Sequence, residues 1–167
     1  MGKTIYISGP EHLLMNGKEL YYKKVDLCRK YGFEVDPLPD SYFDPLLPKD
    51  QKIKLALLRV ERIQNCDIII ADVNDFRFSV EPYGESAVEL GIAYPLGKEM
   101  IGYMRDTRSC GERYPGKKLS GSNGRYTDLN GNGFEPTCLN LMLSQSAVIV
   151  EGDFEDALKK LKEMDRK

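Results

Sequence analysis

Glu85 and Glu89 stand four residues apart in Gly84-Glu85-Ser86-Ala87-Val88-Glu89-Leu90-Gly91-Ile92-Ala93, a stretch with the pattern of a helix. Two carboxylates at that spacing share one helix face. Glu89 is flanked by Ala87, Val88, Leu90, Gly91 and Ile92, surroundings that turn it towards a sheet edge rather than bulk water. Near a helix N-terminus the dipole favours the ionised form by about 0.3–1 kcal/mol. An anionic carboxylate held in a cleft suits attack on an electrophilic carbon.

The elements that must position Glu89 are legible around it. Asp67-Ile68-Ile69-Ile70-Ala71-Asp72-Val73 is a continuous apolar run bounded by acids, as a strand covered on both faces requires. Thr4-Ile5-Tyr6-Ile7-Ser8 is a second strand pattern, closed by Gly9-Pro10. Further strands are expected at 33–35, 99–103 and 147–150. Helices are expected at 17–31 (Leu20, Val25, Leu27 and Cys28 as its stripe), 50–65 (Ile53, Leu57, Val60 and Ile63), 85–96, 138–143 and 153–165. Prolines at 37, 39, 45 and 48 mark a loop crossing the sheet edge. Residues 105 to 136 show no apolar period and read as a functional or disordered loop.

Strands alternating with helices predict an α/β fold: one flavodoxin-like, Rossmann-like domain over residues 1–167. Its five-stranded parallel sheet would carry helices on both faces, in the order 2-1-3-4-5. The switch point then lies between the first and third strands. There the loops after residues 8 and 73 meet the helix start bearing Glu85 and Glu89.

Composition narrows the chemistry. The chain has 167 residues, 41% hydrophobic and 30% charged, with a formal net charge of −2. No basic surface for a nucleic-acid polymer is indicated. Cys28, Cys66, Cys110 and Cys138 are widely spaced, and His12 is the single histidine; they suggest reduced thiols rather than a zinc set. The turn at Gly9-Pro10 carries neither a G-x-G-x-x-G fingerprint nor a Walker lysine, which sets aside NAD and ATP. No apolar run approaches the roughly 20 residues of a membrane span. The N-terminus has no signal-peptide pattern, so a cytoplasmic location without membrane association is expected.

Taken in order, Ile5-Tyr6-Ile7-Ser8-Gly9-Pro10, Ala71-Asp72-Val73-Asn74-Asp75-Phe76-Arg77, Glu81-Pro82, Ser86-Ala87-Val88-Glu89-Leu90-Gly91 and Leu139-Asn140-Leu141-Met142-Leu143 resemble the nucleoside 2-deoxyribosyltransferase family over nearly the whole chain. The resemblance implies that Glu89 attacks C1′ of a 2′-deoxynucleoside and forms a 2-deoxyribosyl ester. A second base, or water, then attacks from the other side with net retention. It implies that Tyr6 orients Glu89, and that Asn140 reaches the site of a neighbouring subunit in a homo-oligomer with shared active sites. It places Ser8, Gly9, Phe76, Arg77, Tyr83, Glu85 and Met142 at the substrate. The implied partners are deoxynucleosides and nucleobases, with no metal or cofactor.

The chain departs from the family pattern at two positions. Six residues before the nucleophile, many members carry an aspartate that binds and helps protonate the base, and members that hydrolyse 2′-deoxynucleoside 5′-phosphates carry serine; here Tyr83 stands there. Eight residues before Asp67, where transferases have Asp or Asn, the residue is Arg59, either a phosphate ligand or an outer-face residue. One extra residue between Arg77 and Pro82 leaves Glu81 or Glu85 as replacement acids. Two alternatives stay open beside the transferase. One is a nucleotide N-hydrolase using Arg59 with Ser109, Arg113, Ser120, Ser122 and Arg125 on phosphate. The other is a non-catalytic nucleotide-binding module.

Overall fold

A computed structural model describes residues 2–77, 79–116, 118–120, 125–134 and 136–165. In chain order the elements are β1 (Ile5–Ser8), α1 (Gly17–Lys30), α2 (Lys49–Asn65), β2 (Ile68–Asp72), α3 (Gly84–Ala93), β3 (Glu99–Met104), α4 (Cys110–Arg113), β4 (Lys118–Ser120), β5 (Arg125–Thr127), α5 (Leu141–Ser146), β6 (Val148–Glu151) and α6 (Phe154–Met164). Short 3-10 turns lie at Glu11–Leu13, Asp40–Phe43 and Tyr94–Leu96.

The main sheet is parallel, in the order β1-β2-β3-β6. It has four strands rather than the expected five. Residues 33–35 contribute one parallel bridge, Thr4 to Glu34. Two backbone bonds hold it, Ile5 N to Glu34 O at 2.8 Å and Glu34 N to Lys3 O at 3.0 Å. The bridge lies on the free side of β1, where the expected order puts its second strand. Asp36-Pro37 ends the segment before a ladder forms, because proline offers no donor.

The two faces follow the period of two along each strand. Ile5, Ile7, Ile68, Ile70, Ile101 and Tyr103 pack on Tyr21, Val25 and Cys28 of α1 and Ala157, Leu158 and Leu161 of α6. Tyr6, Ile69, Ala71, Met100 and Met104 pack on Ile63 of α2, Leu90 and Ala93 of α3, and Leu143 of α5. Gly102 sits where the sheet is tightest, since a Cβ there would lie 2.9 Å from Ile149 Cδ1.

Two expectations are corrected. On α2 only Ile63 of the proposed stripe is buried; Ile53 and Leu57 are 55% and 66% exposed. The stripe is apolar, but most of it faces outward. Segment 105–136 is not structureless. Ser109 caps α4 through a capping box with Glu112, and β4 pairs antiparallel with β5. Polar caps and a hairpin of short strands leave no apolar period to detect. Helix α5 also starts later than expected, because the Asn140 side chain accepts from Leu143 N (3.1 Å) and caps it. No helix among the described residues is long and apolar enough to cross a membrane.

Candidate active site

Helix α3 buries Ser86, Glu89, Leu90 and Ala93, the i, i+3, i+4, i+7 stripe of a helix lying on a sheet. That stripe carries Glu89 inward, where it is 4% exposed. Strand β1 turns Tyr6 and Ser8 towards the same layer, one pleat apart. Tyr6 Oη donates to Glu89 Oε1. Arg59, from α2, donates to the same oxygen through Nε (2.9 Å) and to Glu85 Oε2 through NH1, while its NH2 makes an ion pair with Glu89 Oε1 at 2.6 Å. Two donors, Tyr6 Oη and Arg59 Nε, thus converge on Oε1, with the rest of the guanidinium beside them. Glu89 Oε2 and the buried hydroxyls of Ser8 and Ser86 make no hydrogen bond of good geometry, although Ser8 lies close enough to favour the charged carboxylate. The carboxylate is gripped by one oxygen, while the other is buried without a hydrogen bond.

Burial pushes the Glu89 carboxyl above the usual carboxylate range, and Arg59, Ser8 and Tyr6 oppose that shift. Burial likewise raises the Tyr6 phenol, with the Glu89 charge adding to it, so Tyr6 remains a donor. Burial alone would raise Glu85 too, but Arg59, with Tyr83 and His12, outweighs it and holds Glu85 below its ordinary value. Burial and the Glu85 charge push the Tyr83 phenol up. Burial lowers the His12 imidazole. Around neutral pH the cluster therefore offers a guanidinium, an ionised Glu85, a neutral imidazole and two phenols.

Beside this cluster opens a cavity of about 500 Å³, lined by His12, Tyr42, Leu47, Leu55, Arg59, Tyr83 and Glu85 among others. That volume suits a small organic ligand. Its aromatic wall is continuous. His12 lies 4.7 Å from Tyr42 and 5.7 Å from Tyr83 between ring centroids, and on the far side of Tyr83, in a neighbouring cavity, Phe76 meets it edge-on at 5.0 Å. Tyr83 Oη and His12 Nε2 are 3.2 Å apart, and the Arg59 guanidinium lies 5.2 Å over Tyr42. Tyr83 also lines a second cavity of about 390 Å³ with Asp72, Asn74, Phe76, Arg105 and Arg113. Beneath the loop after β1, buried Glu11 pairs with Lys24, whose Nζ donates to Tyr103 Oη at 2.6 Å. Tyr103 Oη in turn donates to Asp72 Oδ2 at 3.1 Å. The tight turn at Gly9 depends on that packing, since a Cβ there would lie 2.5 Å from Glu11 Oε2.

Of the residues singled out in the sequence, Tyr6, Ser8, Glu85 and Glu89 come together around Arg59, with Tyr83 on the cavity wall and Phe76 on that of the neighbouring cavity. Arg77 sits in the left-handed region (φ 50°) with its guanidinium 5.0 Å over the Phe76 ring. Asn140 and Met142 do not join the cluster within the protomer: Asn140 caps α5, and Met142 is 77% exposed. Arg59 is not an outer-face residue, since its side chain is only 13% exposed. Ser109 is spent on its helix cap. Arg113 is bound to Asp75 (2.8 Å) and Val80 O (3.2 Å). Ser122 and the side chains of Ser120 and Arg125 lie outside the described residues. His12 and Tyr42 were missed; the single histidine, just past Gly9-Pro10, was the available signal. Among the described residues no group of His, Cys, Asp and Glu is placed to hold a metal ion.

Comparison with known proteins places the fold and the family. The chain is similar to a 2-deoxyribosyltransferase from Leishmania mexicana: 28% identity, 96% of this chain and 97% of that one covered, TM-score 0.72. A conserved protein from Enterococcus faecalis V583 (18% identity, 98% and 99% covered, TM-score 0.62) shares the fold. So does a 2-deoxyribosyltransferase from Bacillus psychrosaccharolyticus (19%, 92% and 88%, TM-score 0.55). No curated protein matches the sequence. The sequence profile of nucleoside 2-deoxyribosyltransferases matches residues 5–142, from the strand that carries Tyr6 to the helix capped by Asn140. The chain belongs to the nucleoside 2-deoxyribosyltransferase family, enzymes that act on N-glycosidic bonds.

Proposed function

We propose that this protein cleaves the N-glycosidic bond of 2′-deoxynucleosides through a covalent 2-deoxyribosyl ester on Glu89 and transfers the sugar to another nucleobase. The observation that carries the reading is the asymmetry of the Glu89 carboxylate: Oε1 takes Tyr6 and Arg59, while Oε2 is buried without a hydrogen bond. A carboxylate held through one oxygen is oriented for attack by the other. Its negative charge also stabilises the oxocarbenium character that develops there. The base departs, and the acceptor base attacks the ester from the vacated side. Ser8, Gly9, Phe76, Arg77, Tyr83 and Glu85 supply the walls of the substrate site in this reading.

Assembly belongs to the same proposal. Ile53 and Leu57 of α2, Val88 of α3, and Leu141 and Met142 of α5 are large apolar side chains left exposed. These three helices pack side by side on one face of the sheet. A homo-oligomer formed there brings Asn140 and Met142 of one protomer towards another's site. Of the phosphate ligands that the hydrolase alternative calls on, Arg113 is bound to Asp75 and Ser109 to its helix cap.

The deciding experiment incubates the protein with a 2′-deoxynucleoside, with and without a free acceptor base, and separates the products by chromatography. Exchange that requires the acceptor, together with a Glu89 adduct of 2-deoxyribose in the mass spectrum, is expected. Base release indifferent to acceptor would favour hydrolysis, and undiminished exchange by Glu89→Ala would remove Glu89 from the reaction.

A further inference from the structure

The site as built has no group free to give a proton to a leaving base. Glu85 is ionised against Arg59, the Tyr83 phenol is a weaker acid than usual, and His12 is neutral. What the aromatic cavity does contain is a cation. Arg59 has five N–H donors. Its hydrogen bonds to Glu89 and Glu85 engage Nε–H and one N–H on NH1, and NH2 lies 2.6 Å from Glu89 Oε1 as an ion pair. One N–H on each terminal nitrogen is thus left for a ligand, and Arg59 lines the cavity in which His12, Tyr42 and Tyr83 offer ring faces to a planar heterocycle. The guanidinium also touches the attacking carboxylate, so a base seated in this cavity departs next to a fixed positive charge.

We infer that Arg59 selects the leaving group: the base departs as an anion held by the guanidinium, and the substrates are 2′-deoxyribosides of pyrimidine-2,4-diones. In such a base a carbonyl oxygen adjoins the glycosidic nitrogen, within reach of the same fork. The C1′–N1 bond breaks, with its electron pair passing to N1 and by resonance to O2. The Glu89 Oε2–C1′ bond forms at the same carbon. The released anion takes its proton from water after it leaves the site. An aminopurine or aminopyrimidine, which leaves readily only when protonated, finds no acid here. The inference rests on the proposed N-glycosidic cleavage and goes beyond it to the substrate class.

Initial rates of base release from 5-fluoro-2′-deoxyuridine, 2′-deoxyuridine, thymidine and 2′-deoxyadenosine test it, in wild type, Arg59→Gln, Arg59→Lys and Glu85→Gln. Rates should fall in that order of substrates as the base becomes a poorer anion, with 2′-deoxyadenosine last. Arg59→Gln should slow the pyrimidine-diones roughly 100- to 1000-fold, the effect of removing one preorganised donor of this kind, with Arg59→Lys partly restoring them. Glu85→Gln should slow thymidine no more than it slows the 5-fluoro substrate. Equal wild-type turnover of 2′-deoxyadenosine and 2′-deoxyuridine would overturn the inference even if no Arg59 variant folds. So would a Glu85→Gln loss concentrated on thymidine, which would make Glu85 the acid. Absence of release from all four deoxynucleosides would overturn the cleavage reading itself, whereas release indifferent to leaving group would overturn the Arg59 assignment alone.

Discussion

Tyr6→Phe isolates one bond in the site. The ring stays in its layer against Ile69 and Val73, and only the hydroxyl that donates to Glu89 Oε1 is lost. That oxygen keeps the Arg59 Nε donor at 2.9 Å and the ion pair with NH2 at 2.6 Å, so no buried acceptor is orphaned and the fold should tolerate the change. A hydrogen bond to a charged group contributes about 1.5–3 kcal/mol, which equals about one to two pH units. The sign follows from the species that the bond favours. Tyr6 donates to the ionised carboxylate and draws the Glu89 pKa down, so removing it raises that pKa. The assay is the pH dependence of kcat/KM, whose acid limb reports the essential base of the free enzyme. Burial places the wild-type limb above the ordinary carboxylate range, and in Tyr6→Phe it should move upward by about one to two pH units. At a pH below both limbs the variant is then roughly ten- to a hundredfold slower, with a much smaller difference on the plateau. A limb unmoved within experimental error would refute the account, because the Tyr6 contact would then carry no preference for the charged form. A uniform loss at every pH would assign Tyr6 a purely geometric role.

Gly102→Ala puts a methyl group 2.9 Å from Ile149 Cδ1 and 3.1 Å from Val73 Cγ2; overpacking there should cost about 1–3 kcal/mol, read as a lower urea midpoint with an unchanged slope. Lys24→Met strands buried Glu11 beneath the Gly9-Pro10 turn. Breaking a buried pair costs about 3–5 kcal/mol, so the thermal midpoint should fall by roughly 6–20 °C. Leu57→Glu changes a side chain that is 66% exposed. If α2 lies at a subunit interface, sedimentation should show a smaller species and exchange activity should drop with it; an unchanged sedimentation coefficient would exclude this face.

The layers were legible in the sequence because they follow from a period of two. Ile68-Ile69-Ile70 alternates between two helical covers, and only a sheet buried on both sides tolerates that run. Strand 33–35 was legible in place but not in extent, since backbone pairing at a sheet edge is independent of side-chain type and Pro37 shortens it. The α2 stripe misled for a different reason. Ile53 and Leu57 are apolar at helical spacing, but spacing alone does not distinguish a core face from an exposed one. Asn140 was placed inside a helix that it instead begins.

The site was legible at Glu89 and illegible at Arg59, and the difference is one of range. Glu89 declares itself locally, as a carboxylate among small apolar residues on a helix that must pack on a sheet. Nothing local in Lys54-Leu55-Ala56-Leu57-Leu58-Arg59-Val60 says where the arginine points. Its meaning comes from two carboxylates 26 and 30 residues away in sequence. The same contacts answer the question of the missing acid. Glu85 stands one helical turn from Glu89, the proposed nucleophile, where a proton donor would be placed, yet an arginine touching both carboxylates keeps Glu85 ionised. A protonated Glu85 and a charged Arg59 cannot both act at one bond: either the guanidinium stabilises a departing anion, or it leaves Glu85 and lets that carboxyl take up a proton. The geometry sides with the guanidinium, because Arg59 is only 13% exposed and stays anchored on buried Glu89 whether or not the half-exposed Glu85 leaves it.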